Sequence, residues 1–272
     1  MIRNVLSIAG SDPSGGAGIQ ADLKAISARG CYGMAALTAL TAQNTQGVTG
    51  VHAVPPEFVA AQIAAVFADI RVDAVKIGMI ASGEIAEAVA AALAPHAGIP
   101  VVLDPVMVAK GGAPLLPGSA VAALRDHLLP VATHVTPNLP EAAVLLEGAE
   151  AADRAGMEAQ GRALAALGPG CVILKGGHLP GPESPDLMVS GGTLHWVEGA
   201  RTDTKNTHGT GCTLSAALAA ELAGGAEDAA AFAAAKTYVA GAIAAADRLS
   251  VGHGHGPTHH FHALWRPEEE TR

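Results

Sequence analysis

Of the 272 residues, 50% are hydrophobic, 15% charged and 3% aromatic, which excludes a disordered chain and leaves a core built from Ala, Val, Leu and Ile. A chain of this length buries about 72% of its unfolded surface, so it closes a core without a disulfide or metal staple. Sixteen basic against twenty-five acidic residues give a net charge of −9 with no run of Lys or Arg, which excludes a nucleic-acid footprint.

The first apolar run, Val5–Ala9, reads as a strand, and Ile19–Arg29 as the helix after it. Strands are then expected at Ala35–Leu40, Ala74–Ile77, Val101–Leu103, His134–Val135 and Val172–Leu174. These runs are continuous rather than alternating, the pattern of parallel strands covered on both faces. Helices are expected at Glu57–Ile70, Glu84–Leu93, Ser119–Leu128 and Met157–Leu167, the first opened by Pro55-Pro56. Repeated β-α units predict a layered α/β domain with right-handed crossovers. After Leu174 the rhythm changes to a hairpin, Leu187–Val189 and Thr193–Val197, turning at Ser190-Gly191-Gly192. Two alanine-rich helices follow, about Gly211–Ala223 and Glu227–Ala246. No linker divides the chain, so residues 1–272 read as one domain.

The apolar run before Ser11 is too short for a signal peptide, and Ala229–Ala246 is mostly alanine and broken by Lys236, so no membrane span is expected. Cys31, Cys171 and Cys212 are odd in number and lack a Cys-x-x-Cys pair, which reads as a reduced, cytoplasmic protein.

Gly16-Ala17-Gly18-Ile19-Gln20-Ala21 fits the dinucleotide fingerprint, but no acidic residue falls between Asp22 and Glu57 to take a ribose hydroxyl. A P-loop is excluded because the chain has no Gly-Lys dipeptide. The strongest local signal is Thr204–Ser215, TKNTHGTGCTLS, where glycines and small hydroxylic residues lead into a helix. Such a turn aims backbone N–H groups at an anion, and the helix dipole would favour a Cys212 thiolate. A tight helix entry with a small buried cysteine accounts for the same pattern. Asn138-Leu139-Pro140-Glu141 reads as a capping box, or as a carboxylate and amide holding Mg²⁺ through water. Asp104 and Lys175 end strands at the carboxyl edge, where open α/β sheets place ligands. The histidines at 253, 255, 259, 260 and 262 lack the spacing of a closed zinc site.

Taken in order, Ala9–Asp22 (AGSDPSGGAGIQAD), Thr41–Thr45, Lys76–Met79, Asp104–Met107, Thr136–Glu141, Lys175–His178, Asn206–Cys212 and His259–His262 closely resemble the hydroxymethylpyrimidine/phosphomethylpyrimidine kinases of thiamine biosynthesis. The resemblance spans essentially the whole chain. It implies a three-layer α/β/α ribokinase-like fold with a mostly parallel central sheet. It also implies ATP- and Mg²⁺-dependent phosphorylation of 4-amino-5-hydroxymethyl-2-methylpyrimidine, then of its monophosphate. Matched residue by residue, Gln43 would read the pyrimidine, with Asp22, Met79 and Val106 lining that pocket. Asn138, Lys175 and Thr210 would lie on the nucleotide side and Glu141 at the metal. Gly209 and Gly211 would form the anion hole, with Cys212 beside the attacking oxygen. Related sugar and pyridoxal kinases usually carry Asp where this chain has Cys212, while cysteine there marks the pyrimidine kinases and some pyridoxal kinases related to them, so a pyridoxal or pyridoxine kinase is the alternative substrate reading. The resemblance further suggests a homodimer, with the pyrimidine and ATP as small-molecule partners.

Overall fold

The computed structural model describes residues 1–107 and 118–265. Eight strands form one sheet, and helices cover both of its faces. In chain order the sheet strands are β1 (Asn4–Ala9), β2 (Tyr32–Leu37), β5 (Ala74–Ile77), β6 (Val101–Leu103), β7 (His134–Val135), β8 (Cys171–Lys175), β9 (Asp186–Ser190) and β10 (Thr193–Val197). Spatially they run β10-β9-β8-β7-β6-β5-β1-β2. The run from β2 to β8 is parallel throughout, and β9 and β10 add an antiparallel edge.

The helices are α1 (Gly18–Ala28), α2 (Pro56–Asp69), α3 (Gly83–Leu93), α4 (Gly118–Ala123), α5 (Leu139–Leu145), α6 (Arg154–Ala165), α7 (Thr210–Ala223) and α8 (Asp228–Ala244). The α4 helix widens into π geometry over Leu124–Leu128, so the expected single helix there is one regular turn followed by a looser one.

Strand alternation sorts the core into two layers. Leu6, Ile8, Val75, Ile77, Val101, Leu103, Val172 and Leu174 face α2, α3, α4, α5 and α6. Val5, Ala74, Val102, Cys171 and Ile173 face α1, α7 and α8. Continuing the period of two along this second face reaches Lys76 on β5, Asp104 just past β6 and Lys175 on β8, all at the carboxyl ends. The same face reaches His134 and Cys171 at the amino ends of β7 and β8, where they are register partners. Alanine-rich α7 and α8 fit this arrangement because small side chains allow close approach to the sheet and to each other.

The expected strand Ala35–Leu40 is two strands. β2 ends at Leu37, and a separate antiparallel hairpin of β3 (Ala39–Asn44) and β4 (Gly47–Ala53) begins after Thr38. The break is made by Thr38, whose N–H binds Ala9 O while its hydroxyl donates to Met79 O at 2.6 Å. This turns the chain off the sheet and over the carboxyl edge. No described helix is long and apolar enough to cross a membrane.

Candidate active site

A cleft of about 1410 Å³ opens over the carboxyl ends of the strands, between the β1–α1 loop, the β3–β4 hairpin and the start of α7. Its floor is ionic. Lys175 Nζ lies 2.9 Å from Asp104 Oδ1 and 3.8 Å from Glu141 Oε2. Thr136 Oγ1 at 3.3 Å and Ser215 Oγ at 3.4 Å donate to the Asp104 carboxylate. Burial works against the Lys175 charge, but Asp104 and Glu141 outweigh it and hold the ammonium well above its ordinary range. Burial pushes the Glu141 carboxyl up to about 7, Asp104 adds to that, and Lys175 and the N–H groups of Asn138 and Met107 oppose it.

The Asn138–Glu141 stretch is a capping box. The Glu141 N–H donates to Asn138 Oδ1 and the Asn138 N–H to Glu141 Oε2, both at 2.8 Å. Both residues line the cleft, so the cap also orients Glu141 beside Lys175. The capping and ligand-facing readings of this motif therefore describe the same carboxylate.

Over the floor sits the Gly209–Cys212 turn. Gly209 has φ +77°, and a Cβ there would collide with the Gly16 carbonyl, so glycine is required for conformation and space. At Gly211 a Cβ would come within 3.3 Å of both Asp104 Oδ2 and Lys175 Nζ, so its bare backbone brings the turn down onto the ion pair. The first turn of α7 holds no acidic residue, and Gly209 offers no side-chain cap, which leaves N–H groups directed at the cleft. Thr210 lines the cleft beside them, and its own hydroxyl is spent on Thr207 O at 2.7 Å.

Cys212 meets opposing influences. Burial pushes its thiol up to about 11; Asp22 and Asp104 reinforce this, while Lys76 and a hydrogen bond from the Gly18 N–H oppose it. Burial of the sulfur thus opposes the preference for thiolate that a helix start gives.

Asp22 is also relocated. It does not line the cleft but lies fully buried beneath it, accepting from Lys76 Nζ at 2.8 and 2.9 Å and from Ser7 Oγ at 2.6 Å. Lys76, itself 0% exposed by side chain, extends from that pair toward the cleft. Burial disfavours its charge, but Asp22 overcomes this and keeps the ammonium above its ordinary range. A lysine in the middle of Ala-Val-Lys-Ile was the sequence signal for a buried ion pair.

At the other end of the cleft Gln43 sits beside an irregularity in β3–β4 pairing, with Met79 and Val106 lining the same space. The Gln43 amide lies 3.2 Å from Thr41 Oγ1 and 3.4 Å from His208 Nε2. Thr41 gives its hydroxyl proton to Ser11 O at 2.8 Å, and His208 Nε2 lies 2.8 Å from Asp12 Oδ2. The amide oxygen of Gln43 faces Thr41 and its NH₂ faces His208, so the side chain is flanked by a polar neighbour at each end. Burial works to raise the Asp12 carboxyl, but hydrogen bonds from His208, Ser14 and Ala17 overcome it and hold it below its ordinary value. Asp12 and His208, 196 positions apart, were not singled out as site residues by sequence reasoning.

Of the tail histidines, His259 and His260 are buried and His260 is structural. Burial pushes His260 down to about 3, its ring meets Thr213 Oγ1 at 3.0 Å, and Tyr238 donates to its carbonyl at 2.8 Å.

A family model described as phosphomethylpyrimidine kinase matches residues 12–259. The chain is 54% identical to the hydroxymethylpyrimidine/phosphomethylpyrimidine kinase of Escherichia coli K12, over 96% of this chain and 98% of that one. It is 51% identical to a thiamine biosynthesis bifunctional protein of Geobacter sulfurreducens, over 95% of this chain and 52% of that longer one. Among solved structures, the Bacillus subtilis pyridoxal kinase in complex with ADP superposes with a TM-score of 0.90 at 38% identity, covering 98% of this chain and 100% of that one. A phosphomethylpyrimidine kinase from Clostridium difficile 630 gives a TM-score of 0.79 at 41% identity, covering 89% and 99%.

Proposed function

The chain belongs to the phosphomethylpyrimidine kinase family, and from that premise we propose how its own residues carry ATP-dependent phosphorylation of 4-amino-5-hydroxymethyl-2-methylpyrimidine and then of its monophosphate. The observation that carries the assignment of roles is one cleft with an amide at one end and an uncapped helix start above an ion pair at the other. Gln43 donates to and accepts from the aminopyrimidine edge, held in orientation by Thr41 and by the His208–Asp12 pair. Met79 and Val106 supply the apolar walls.

The hydroxymethyl oxygen attacks the γ-phosphorus of ATP. The new C–O–P linkage forms as the bond to the β-phosphate oxygen breaks, and the alcohol proton leaves. Phosphoryl transfer needs in-line placement and charge neutralisation more than covalent help. Backbone N–H groups of Gly211 and Cys212 face the transferring group, Gly209 permits that turn, and Lys175, with Asn138 and Thr210 nearby, faces the nucleotide phosphates. Cys212 accepts the alcohol proton as the thiolate. With the thiol at about 11, that form is scarce near neutrality, and the buried Lys76 ammonium is the group that favours it.

Glu141 and Asp104 present hard oxygen donors beside Lys175, a donor set suited to Mg²⁺ with most of its waters kept. Glu141 would hold such an ion, which when bound neutralises phosphate charge.

A homodimer has support in exposed Leu40, Val51 and Phe58 on and beside the hairpin, and sedimentation tests it. The free cysteines Cys31, Cys171 and Cys212 fit a reducing cytoplasm. The function is tested by product analysis with ATP, Mg²⁺ and the hydroxymethylpyrimidine, pyridoxal competing. Monophosphate followed by diphosphate is expected, and pyridoxal phosphate as sole product overturns the reading.

A further inference from the structure

A second group of polar side chains closes the amino end of the same sheet face. His134 opens β7, Cys171 opens β8 as its register partner, and Ser190 ends β9 opposite Cys171. Asp228, the first residue of α8, reaches in from above. His134 Nε2 lies 3.1 Å from Asp228 Oδ1, and Ser190 Oγ donates to Asp228 Oδ2 at 2.8 Å. Ligand atoms of His134, Cys171 and Asp228 all fall within 4.8 Å of one another, the one such group found among the described residues. None of these residues lines the cleft.

We propose that His134 Nε2, Cys171 Sγ and Asp228 Oδ1 form a site for a zinc-type divalent ion, independent of the kinase chemistry. Thiolate, imidazole and carboxylate together suit zinc and its tetrahedral neighbours rather than Mg²⁺ or Ca²⁺. One thiolate and one carboxylate cancel the ion's two charges, which matters because His134 and Cys171 are 7% and 1% exposed. Asp228, whose side chain is 39% exposed, gives a path from solvent and room for a water as fourth ligand.

The proton balance closes without an orphaned group. Without metal, Thr133 Oγ1 donates to His134 Nδ1 at 2.8 Å, and Nε2–H donates to Asp228. On binding, the Cys171 proton leaves to solvent and the imidazole proton moves from Nε2 to Nδ1. Nδ1–H then donates to Thr133 Oγ1, whose hydroxyl turns to Val101 O at 3.1 Å. Thr133 serves either tautomer, the outer support that metal-binding histidines generally have. Burial and the Asp228 charge push the Cys171 thiol up to about 12, and the ion is what stabilises the thiolate there. Bound metal would pin the start of α8 to β7 and β8.

The test is titration of the chelator-treated full chain with Co²⁺. Expected are one equivalent bound, a near-ultraviolet thiolate-to-cobalt band, intense visible bands of a four-coordinate ion, and displacement by Zn²⁺. Cys171→Ser should abolish the thiolate band with kinase activity retained, whereas Cys212→Ser should keep it. Asp228→Asn, at an accessible helix start, should weaken Co²⁺ at least tenfold and provides the test should Cys171→Ser fail to fold. Absence of the thiolate band in the parent chain, its survival in Cys171→Ser, its loss in Cys212→Ser, or undiminished affinity in Asp228→Asn would each overturn the proposal.

Discussion

The two ends of the sheet face covered by α7 and α8 make an informative pair. Both carry polar side chains placed by the same strand alternation, and both meet the start of an alanine-rich helix. At the carboxyl end α7 brings no acid in its first turn and no side-chain cap, and its N–H groups overlook an open cleft. At the amino end α8 begins with its own carboxylate, Asp228, already engaged by Ser190 and His134. A helix start that lacks its own anion is left to receive one from outside. One supplied with a carboxylate has that need met from within. The same elements thus build an open end and an end whose helix start already has its anion.

The largest expected effect tests the open end. Cys212→Ala should lower kcat by on the order of 10²–10⁴ with melting unchanged, the usual contribution of a positioned base. In the parent enzyme, a thiol at about 11 means the thiolate fraction grows as pH rises toward that value. So kcat should climb about tenfold per pH unit between roughly 7 and 10, and Cys212→Ala should lose that slope. A flat parent profile, or near-normal kcat in the alanine variant, would leave backbone and Lys175 electrostatics as sufficient.

Next comes the support under that end. Lys76→Met strands the buried Asp22 carboxylate and should cost about 3–5 kcal/mol in denaturant unfolding. Adding Asp22→Leu should restore much of the loss, because an apolar pair replaces an unpaired charge. No recovery in the double variant would mean that packing, not charge, dominates the site.

Gln43→Leu should cost about 1–3 kcal/mol in pyrimidine kcat/KM, roughly a 5- to 150-fold loss, with the KM for ATP unchanged. His208→Leu should act through the same amide, so the two losses should fall short of additive in a double-mutant cycle. Full additivity would separate His208 from substrate reading.

The smallest effect belongs to the other end. Asp228→Asn, measured without metal, should cost about 0.5–1 kcal/mol by weakening a helix-start charge, with kcat untouched. A fall in kcat there would show that the two ends are coupled, and the contrast would break.

Much of this was legible in the sequence, for identifiable reasons. Parallel strands announce themselves as unbroken apolar runs, and Val5–Ala9 and Val172–Leu174 fall where expected. The hairpin of β3 and β4 was missed because it stands off the sheet and half its residues face outward; Thr41, Gly47 and Gly50 give no apolar pattern. The Gly209–Cys212 turn was readable as local chemistry. Pairings made only by the fold were not: Asp22 with Lys76 is 54 positions apart, and Asp12 with His208 is 196. For Cys212 the helix start was visible in sequence, while the burial that opposes its thiolate was not.

The close approach of Gly209 to the Gly16 carbonyl joins the turn at the start of α7 to the β1–α1 loop, main chain to main chain. Contacts between side chains can drift, since a change on one side is answered by a change on the other. Here there is no side chain to exchange. The spacing there is therefore insulated from sequence change around it, and genetic variation reaches it through replacement of Gly209, which the backbone does not tolerate, or of Gly16, whose Cβ would run into the His208 ring.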